Sequence, residues 1–265
     1  MDKVFASPQE AVADITDGSV LAVGGFGLCG VPIALIDALL AQGARNLTSI
    51  SNNCGVDDQA LGVLLYAGRI SRTISSFVGG NKELARLYLT GGLTVELTPQ
   101  GTLAERLRAG GVGIPAFYTP TGVGTLVAEG GIPIRYDSDG NVVKTSEPKE
   151  VRVFDGEQYV LETALVADFA LIRAAVADRH GNLVFHESAG NFNGPAGMAG
   201  RITIAEVEEL VEPGEIAPDS VHLPGVFVDR VVVVGPEGKK IEKRTTRPRS
   251  DHTDTPAAAG EEATA

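Results

Sequence analysis

Short apolar runs alternate along the chain with segments whose apolar residues recur at helical spacing. Residues 20–23 and 47–51 are predicted as buried strands, and the alanine-rich segment 33–40 between them as a helix that ends near Gly43. The same criteria predict helices over 8–14, 58–67 and 83–90, and strands over 73–77, 93–97, 169–177, 183–185 and 226–234. Strands that alternate with helices predict an α/β fold with an open, largely parallel sheet and helices on both faces.

The middle and the end of the chain differ from the rest in residue pattern and composition. Residues 131–160 are short polar and β-branched pieces broken by Asp139-Gly140 and Asp155-Gly156, which are hairpin signals, so a small β insertion is expected there. Residues 1–238 are predicted to form one domain. Residues 239–265 combine a basic cluster with an end rich in Thr, Pro, Ala and Glu, which predicts a polar, disordered tail.

Composition and charge narrow the function classes. The net charge of −12 over 265 residues argues against a DNA or RNA partner, because phosphate binding needs a basic surface. No apolar run reaches the roughly 20 residues of a membrane span, and the first ten residues have no secretory pattern. Cys29 and Cys54 are too few for a disulfide framework, so a reducing, cytoplasmic location is expected. The four histidines have no metal-ligand spacing, so no metal site is expected.

A glycine-rich turn, G-G-F-G-L-C-G at residues 24–30, joins the first predicted strand to its helix. Glycines let a backbone approach a ligand closely, and a helix N-terminus adds positive potential, so an anion or a developing oxyanion is expected there. The same glycines satisfy the dinucleotide pattern G-x-G-x-x-G. That pattern also needs an acidic residue after the second strand, where this chain has Asn52 and Asn53, so a nicotinamide enzyme is disfavoured.

Amide side chains follow two of the predicted strands. Asn52 and Asn53 end the second strand, and Gln100 follows strand 93–97 just before Thr102 and Glu105, which are predicted as the capping box of the next helix. Open parallel sheets bind ligands at the carboxyl ends of their strands, so these amides are candidate ligand contacts. Either asparagine could equally cap the following helix, and Gln100 could be an ordinary loop residue.

Four motifs together are similar to those of a known family. They are an Asp-Gly pair and apolar strand followed by G-G-F-x-x-x-G-x-P (17–32), S-N-N-C-G-V-D-D (51–58), P-Q-G-T-L-A-E-R-L-R-A-G-G (99–111) and P-T-G-V-G-T (120–125). Over residues 3–234 the chain resembles the A subunit of the class I (3-oxoacid) CoA-transferases. The resemblance implies active-site hydrogen bonding to the substrate carboxylate by Asn52, Asn53 and Gln100. It also implies contacts to CoA or substrate at Gly24, Gly25, Phe26, Gly27, Leu28, Cys29 and Gly30.

Members of this family move CoA between carboxylic acids through covalent intermediates on a glutamate of the B subunit. The resemblance therefore implies a chain that is active only with a B subunit, in a heterodimer or heterotetramer. It further implies a CoA thioester as substrate, no permanently bound cofactor, and succinyl-CoA with a 3-oxoacid such as acetoacetate as the substrate pair. The glutamates of this chain, such as Glu10, Glu96, Glu105 and the group 206–209, are expected in solvated or structural roles. Residues 191–195 resemble a family segment that helps to pack the subunits together.

Three alternatives stay open. The A subunit of a 3-oxoadipate CoA-transferase would share the family motifs. A thioesterase could use Cys29 or Cys54 as its nucleophile, although both are more typical of small packing residues. A non-catalytic CoA-binding module would bind CoA without a partner and transfer nothing.

Overall fold

The computed structural model describes residues 2–236 and 240–241. Within that part the helices are α1 (Pro8–Ala11), α2 (Ile33–Gln42), α3 (Leu61–Tyr66), α4 (Lys82–Leu89), α5 (Gln100–Gly111), α6 (Leu126–Glu129) and α7 (Asn193–Ala199). The strands are β1 (Val4–Phe5), β2 (Val20–Val23), β3 (Leu47–Ile50), β4 (Ile70–Ser75), β5 (Thr94–Leu97), β6 (Ala116–Thr119), β7 (Pro133–Tyr136), β8 (Val142–Thr145), β9 (Val151–Phe154), β10 (Glu157–Thr163), β11 (Ala167–Asp178), β12 (Leu183–Val184), β13 (Gly200–Val211) and β14 (Arg230–Val233). The predicted tail at 239–265 lies outside the described residues, except for Lys240 and Ile241.

One large sheet forms the centre of the fold, with strand order β5-β4-β3-β2-β11-β13-β14-β1. Every pair in that series is parallel, and β12 adds an antiparallel pairing to β11. This confirms the predicted open, largely parallel sheet. The chain runs from β2 outward to β5 and then returns to β11 on the other side of β2, so the strand order reverses between β2 and β11. Ligands of open α/β sheets bind at such a reversal, outside the carboxyl ends of the strands.

Helices cover both faces of this sheet, as predicted. Successive residues of β2, Leu21 and Ala22, belong to two different buried clusters, which is the pattern of a strand buried on both faces. The first cluster includes residues of α1 to α4, such as Leu35, and the second includes residues of α5 and α7, such as Leu107. Burying one leucine side chain is worth about 2 kcal/mol, so these contacts fix the helices on the sheet.

Local capping explains where α1 begins and where α2 ends. The Ser7 hydroxyl accepts from the Glu10 N–H at 3.2 Å, and the Glu10 carboxylate accepts from the Ala6 N–H at 3.1 Å, so α1 begins at the predicted cap. α1 nevertheless has only four helical residues and ends before residue 14. α2 ends where predicted, because Gly43 takes the left-handed conformation at φ 101° and its N–H returns to the Leu39 carbonyl.

Several element boundaries differ from the sequence prediction. α3 begins three residues later than predicted, because the Gln59 N–H donates to the Val56 carbonyl and closes a turn before the helix. β4 spans Ile70–Ser75 instead of 73–77, and β14 spans Arg230–Val233 after a short helical turn. The pattern does not predict β13 at all, because three glutamates interrupt its apolar residues.

The β insertion is wider than the predicted 131–160. β6, β10 and β9 form a three-stranded antiparallel sheet, and β7 and β8 form a hairpin, so these strands extend from residue 116 to residue 163. The predicted turn at Asp155-Gly156 joins β9 to β10, with positive φ values of 51° and 86° that suit a tight hairpin. Among the helices of the described residues, none has the length and apolar character that crossing a membrane needs.

Candidate active site

The glycine-rich turn leads from β2 to α2 and lies beside β11; we call residues 24–30 the glycine loop. The Gly24 N–H donates to the Leu171 carbonyl of β11 at 2.9 Å. Phe26 and Cys29 exchange two backbone hydrogen bonds of 3.0 and 2.9 Å, which close the loop on itself. Three glycines have positive φ values, a conformation that favours glycine, at Gly25 (109°), Gly27 (58°) and Gly30 (70°).

Three amide side chains at the carboxyl ends of β3 and β5 form a continuous hydrogen-bonded series, which we call the amide row (Asn52, Asn53 and Gln100). Gln100 Nε2 donates to Asn52 Oδ1 at 2.8 Å, and Asn52 Nδ2 donates to Asn53 Oδ1 at 3.2 Å. Asn53 Oδ1 also accepts from the backbone N–H of Gly27 at 3.0 Å. The structure thus brings three predicted site residues from two separate segments into one cluster that contacts the glycine loop.

The members of the amide row differ in exposure. Asn52 and Asn53 are only 3% and 7% exposed, whereas Gln100 is exposed. Asn52 Oδ1 also accepts from Ser76 Oγ at 2.9 Å, and Asn53 Nδ2 donates to the Gly55 carbonyl at 3.3 Å. Buried amides with several hydrogen-bond partners hold one orientation. The two asparagines therefore orient the row, and Gln100 is its accessible end.

Neither Asn52 nor Asn53 caps the helix that follows. α3 has Ala60 at its N-cap position, without a side-chain hydrogen bond to the first helical turn. The next helix, α4, is capped by Asn81, whose Oδ1 accepts from the Leu84 N–H at 2.9 Å. The capping interpretation of the two row asparagines is therefore wrong.

Gln100 is the first residue of α5, which begins directly after Pro99. The predicted capping box of Thr102 and Glu105 is wrong, because Thr102 is buried inside the helix and Glu105 bonds to Arg108 at 2.7 Å. Proline suits the start of a helix, since its φ is fixed and no helical N–H is lost there. The early start of α5 places Gln100 at the carboxyl end of β5.

A buried carboxylate occupies the N-terminus of α2, directly after the glycine loop. Glu206 Oε2 accepts from the Leu35 N–H at 3.0 Å, and Glu206 Oε1 accepts from Arg173 Nη1 at 2.8 Å. Glu206 is 0% exposed, and burial raises the pKa of its carboxyl group to about 7. It takes up the Leu35 N–H and part of the positive potential at the start of α2, which gives Glu206 a structural role. The anion or oxyanion site expected at the glycine-rich turn stays a prediction.

The surroundings of both cysteines favour packing roles. Cys54 is buried, and burial raises the pKa of its thiol to about 11, so the thiol stays protonated at neutral pH. Cys29 is partly exposed, and its sulfur lies 3.2 Å from the Ser188 hydroxyl, which is not a general base. These contacts argue against the thioesterase alternative.

A cleft of about 210 Å³ borders the glycine loop at the reversal of strand order. Residues 28–31 form one side, residues 173–175 of β11 a second side, and residues 186–189 a third. Leu28, Cys29 and Gly30, which were predicted to contact CoA, thus line a cleft at the position where open parallel sheets bind ligands.

Two aromatic side chains are exposed next to the amide row. Phe26 of the glycine loop is 47% exposed, and Phe77, which follows β4, is 57% exposed. The Phe77 N–H donates to the Asn52 carbonyl at 3.1 Å, so this residue adjoins the row. Large exposed apolar groups beside buried polar ones are typical of binding surfaces. The sequence prediction included Phe26 but treated Phe77 only as a strand residue.

Asn193 is a further residue that the sequence prediction missed as part of the site. It is fully buried at the start of α7, and its Nδ2 donates to the Gly30 carbonyl at 2.9 Å. The available signal is a single amide within a segment of small and apolar residues, F-N-G-P-A-G. The role of residues 191–195 in subunit packing, which the family resemblance implies, stays a prediction.

The sequence profile of the Coenzyme A transferase family matches residues 5–234. A relative from Mycobacterium tuberculosis, named as the probable A subunit of a succinyl-CoA:3-ketoacid coenzyme A transferase, is 64% identical over 247 residues, which are 93% of this chain and 100% of the relative. The human protein named "succinyl-CoA:3-ketoacid coenzyme A transferase 2, mitochondrial" is 53% identical over 245 residues, which are 92% of this chain and 47% of that protein. The chain thus spans the full mycobacterial relative and about half of the human one.

Solved structures share the architecture. An acyl-CoA transferase from Escherichia coli O157:H7, in a thioester complex with CoA, matches with a TM-score of 0.73 at 27% identity over 88% of this chain and 47% of that one. The glutaconate coenzyme A-transferase of Acidaminococcus fermentans matches with a TM-score of 0.72 at 22% identity over 88% of this chain and 76% of that one. The second likeness concerns the fold alone.

Proposed function

Because the chain belongs to the Coenzyme A transferase family, we propose that it is the A subunit of a succinyl-CoA:3-oxoacid CoA-transferase with acetoacetate as acceptor. Support comes from the mycobacterial relative, which is named for this activity and this subunit type and is 64% identical over its full length. The observation that carries the proposal is the amide row, which gathers three neutral amides at the carboxyl edge of the sheet. In this proposal residues 1–238 act as one domain.

Gln100 is the residue that we assign to the substrate. It is the exposed end of the amide row, while the buried Asn52 and Asn53 fix its orientation. An amide N–H can donate to a substrate carboxylate or to the oxyanion of a tetrahedral intermediate. A cationic side chain in its place would stabilise the ionised form of a nearby nucleophilic carboxylate and lower its reactivity, which explains why a neutral donor suits this position.

We assign CoA contact to the accessible part of the glycine loop. Phe26 is exposed, and Gly27, Cys29 and Gly30 are partly exposed, whereas Gly24 and Gly25 are buried and shape the loop. Leu28 reaches the cleft between the loop and β11, together with Cys29 and Gly30. The cleft takes one part of the CoA thioester in this proposal, while the acid part faces the amide row.

The nucleophile comes from the partner B subunit in this proposal. Glu10 accepts from the Ala6 N–H at the start of α1, and three further candidate glutamates are paired with arginines: Glu96 with Arg106, Glu105 with Arg108 and Glu206 with Arg173. A structural pairing of this kind leaves a carboxylate poorly suited to covalent catalysis. We therefore place the chain in a heterodimer or heterotetramer with a B subunit. Its two free cysteines suit the reducing conditions of the cytoplasm, where we place the complex.

The proposed reaction alternates between two covalent states of the partner's glutamate. Its carboxylate attacks the thioester carbonyl of succinyl-CoA, the C–S bond breaks, and CoA thiolate leaves behind a mixed anhydride. The thiolate attacks the glutamyl carbonyl and releases succinate, which gives a glutamyl-CoA thioester. Acetoacetate then takes the CoA through the same two steps in reverse order. Each attack forms an oxyanion, and Gln100 supplies a preorganised donor.

A pull-down of the tagged chain from its native host tests the proposal. The eluate is assayed for CoA exchange between succinyl-CoA and acetoacetate, with 3-oxoadipate as a competing acceptor. We expect a second chain to co-purify, exchange to depend on it, and a CoA adduct to form on one of its glutamates. A chain that purifies alone and hydrolyses acyl-CoA, or that binds CoA without exchange, would overturn the proposal, and a preference for 3-oxoadipate would move the chain to that branch.

A further inference from the structure

Asn193 is buried against the glycine loop on the side away from the amide row. Its Nδ2 donates to the Gly30 carbonyl and to the Ala189 carbonyl, both at 2.9 Å. Its Oδ1 accepts from the backbone N–H of Arg173 in β11, also at 2.9 Å. Both N–H groups and the oxygen of this amide are therefore bonded, so the side chain joins the loop to β11 in one fixed orientation.

The shape of the loop is matched to this side chain. A Cβ atom at Gly24 would overlap Asn193 Oδ1, and a Cβ atom at Gly30 would lie 2.9 Å from Asn193 Nδ2. Real Cβ contacts of that kind require the neighbouring atoms to move. The absence of side chains at Gly24 and Gly30 thus lets the loop backbone approach the amide closely.

The opposite side of the same loop contacts the amide row. The Gly27 N–H donates to Asn53 Oδ1, and Asn53 connects through Asn52 to Gln100. The loop therefore lies between two buried amides, Asn193 at Gly30 and Asn53 at Gly27. A displacement of Gly30 would pull the Gly27 N–H away from Asn53 and remove one of the bonds that orient the row.

We propose that Asn193 is a positioning residue for CoA transfer. It keeps the glycine loop in the place where Gly27 bonds to Asn53, and through the amide row it sets the orientation of Gln100. The inference rests on the proposed function, because it assumes that Gln100 and the loop act on the substrates. A displacement of about 1 Å in a catalytic group can cost about 100-fold in rate, so the loss of this contact is measurable.

The neighbouring Asn191 also contacts the glycine loop, but it is less suited to position the loop. Its Nδ2 donates to the Cys29 carbonyl at 3.1 Å and to the Ser188 carbonyl at 2.7 Å. Its Oδ1 is buried without a hydrogen-bond partner among the described residues, so it does not connect the loop to β11. Asn193 alone of the two joins the loop to the main sheet.

The test uses Asn193→Ala in the complex with the partner subunit. Asn182→Ala is the matched control, because the Asn182 amide donates to Asp178 and accepts from the Gly225 N–H at the far end of β11. Each variant is measured for kcat and KM in succinyl-CoA to acetoacetate exchange, for thermal unfolding, and for amide hydrogen exchange of the segment 24–31. We expect Asn193→Ala to speed hydrogen exchange of this segment and to lower kcat by about 10- to 100-fold, with KM changed by less than about 3-fold.

The control separates positioning from general destabilisation. Asn182→Ala should lower the unfolding temperature without changing kcat or the hydrogen exchange of segment 24–31. An unchanged kcat for Asn193→Ala, or unchanged hydrogen exchange of the loop, would overturn the inference. If this variant does not fold, Gly30→Ala displaces the same contact from the loop side, and an unchanged kcat there would overturn the inference equally. If the unmodified complex transferred no CoA between succinyl-CoA and acetoacetate, the proposed function would be rejected instead. The amide hydrogen-exchange rates of segment 24–31 would still decide whether Asn193 fixes the loop.

Discussion

Gln100 and Asn52 lie 48 residues apart in the chain, and a 2.8 Å hydrogen bond joins Nε2 of the first to Oδ1 of the second. Gln100 begins α5, and Asn52 follows β3, so the bond connects two non-adjacent strands of the sheet across the end of β4. Ser76, which follows β4, donates to the same Asn52 oxygen at 2.9 Å. The orientation of the exposed amide is thus fixed from the sheet beneath it.

Gln100→Ala should lower kcat/KM for exchange by roughly 100-fold, because removing one preorganised donor to an oxyanion typically costs that much. Assembly with the partner should be unchanged, since Gln100 is exposed and its loss creates no cavity. Steady-state kinetics and size-exclusion chromatography of the complex measure the two quantities. Arg108→Ala, an exposed change on the same helix, should leave both unchanged. Full activity of Gln100→Ala would show that the substrate lies elsewhere.

Gly24→Ala should destabilise the chain, because its methyl group would overlap Asn193 Oδ1 and lie 3.0 Å from Asn193 Cα. Overpacking of a buried site typically costs about 1–3 kcal/mol. Gly194→Ala is the matched control: it adds a methyl group within α7, where no atom outside the neighbouring residues and the backbone of that helix lies within 4 Å, and alanine favours a helix. Thermal unfolding should show a lower midpoint for the first variant and an equal or higher midpoint for the second. If both variants had the same unfolding midpoint, below that of the unmodified chain, the close packing at Gly24 would be contradicted.

The sequence predicts the meeting of Asn52, Asn53 and Gln100 because all three follow strands, and parallel strands end at one edge of a sheet. It does not predict which atoms bond, since hydrogen bonds such as Gly27 to Asn53 depend on the exact course of the glycine loop. The start of α5 shows a competing signal. Thr102 and Glu105 satisfy a capping pattern, but the observed N-cap is Pro99, three residues before Thr102.

Glu206 marks the limit of prediction from local patterns. Its partners Leu35 and Arg173 are 171 and 33 residues away in the chain, so no nearby residue indicates that this glutamate is buried. With Glu208 and Glu209, the same charged residue interrupts the apolar pattern of β13 and hides that strand. A buried glutamate that is paired over a long distance in the chain is therefore one reason why the apolar pattern misses this strand.

Glu206 should make stability depend on pH. Burial raises the pKa of its carboxyl group from 4.5 to about 7, so between these values the folded chain keeps a proton that the unfolded chain has released. Rising pH then favours the unfolded chain, and this loss of stability ends above about pH 7. Urea unfolding of the unmodified chain and Glu206→Gln, compared from pH 5.5 to 8, measures the effect. The free energy of unfolding of the unmodified chain minus that of Glu206→Gln should fall as the pH rises to about 7 and then stay level. A difference that does not change with pH would contradict the raised pKa of Glu206.

Cys54→Ala should retain exchange activity, because the thiol is buried with its pKa raised to about 11 and serves packing. Exchange kinetics of the complex with the partner subunit measure the outcome. Incubation with N-ethylmaleimide followed by mass spectrometry of peptides checks accessibility. Cys29, which is partly exposed, should be labelled before Cys54. Loss of activity in Cys54→Ala with an unchanged unfolding temperature would revive the thioesterase alternative.

Arg106 should stabilise the chain far more than Arg72, although both contact Glu96. Arg106 is 7% exposed; its Nη1 lies 3.0 Å from Glu96, and its Nε donates to the Thr163 carbonyl at 2.7 Å. These contacts join α5, which carries Gln100, to β5 and β10. Arg72 contacts Glu96 at 2.6 Å from a half-exposed position. Breaking a buried ion pair from one side costs about 3–5 kcal/mol, whereas an exposed pair is worth about 1 kcal/mol or less.

Urea unfolding of Arg106→Ala and Arg72→Ala compares the two arginines. Equal slopes of the free energy of unfolding against urea concentration check that both variants unfold in a two-state manner. We expect a large drop in the unfolding midpoint for Arg106→Ala and a small one for Arg72→Ala. Arg106 Nε also lies 3.9 Å from the carboxylate of Glu162, which is buried and pairs with Lys149 as well. Because Arg106→Ala leaves Glu162 with Lys149 as a partner, we place the cost near the lower end of this range, at about 3 kcal/mol. Equal midpoints for the two variants would mean that the buried network does not hold α5 against the insertion.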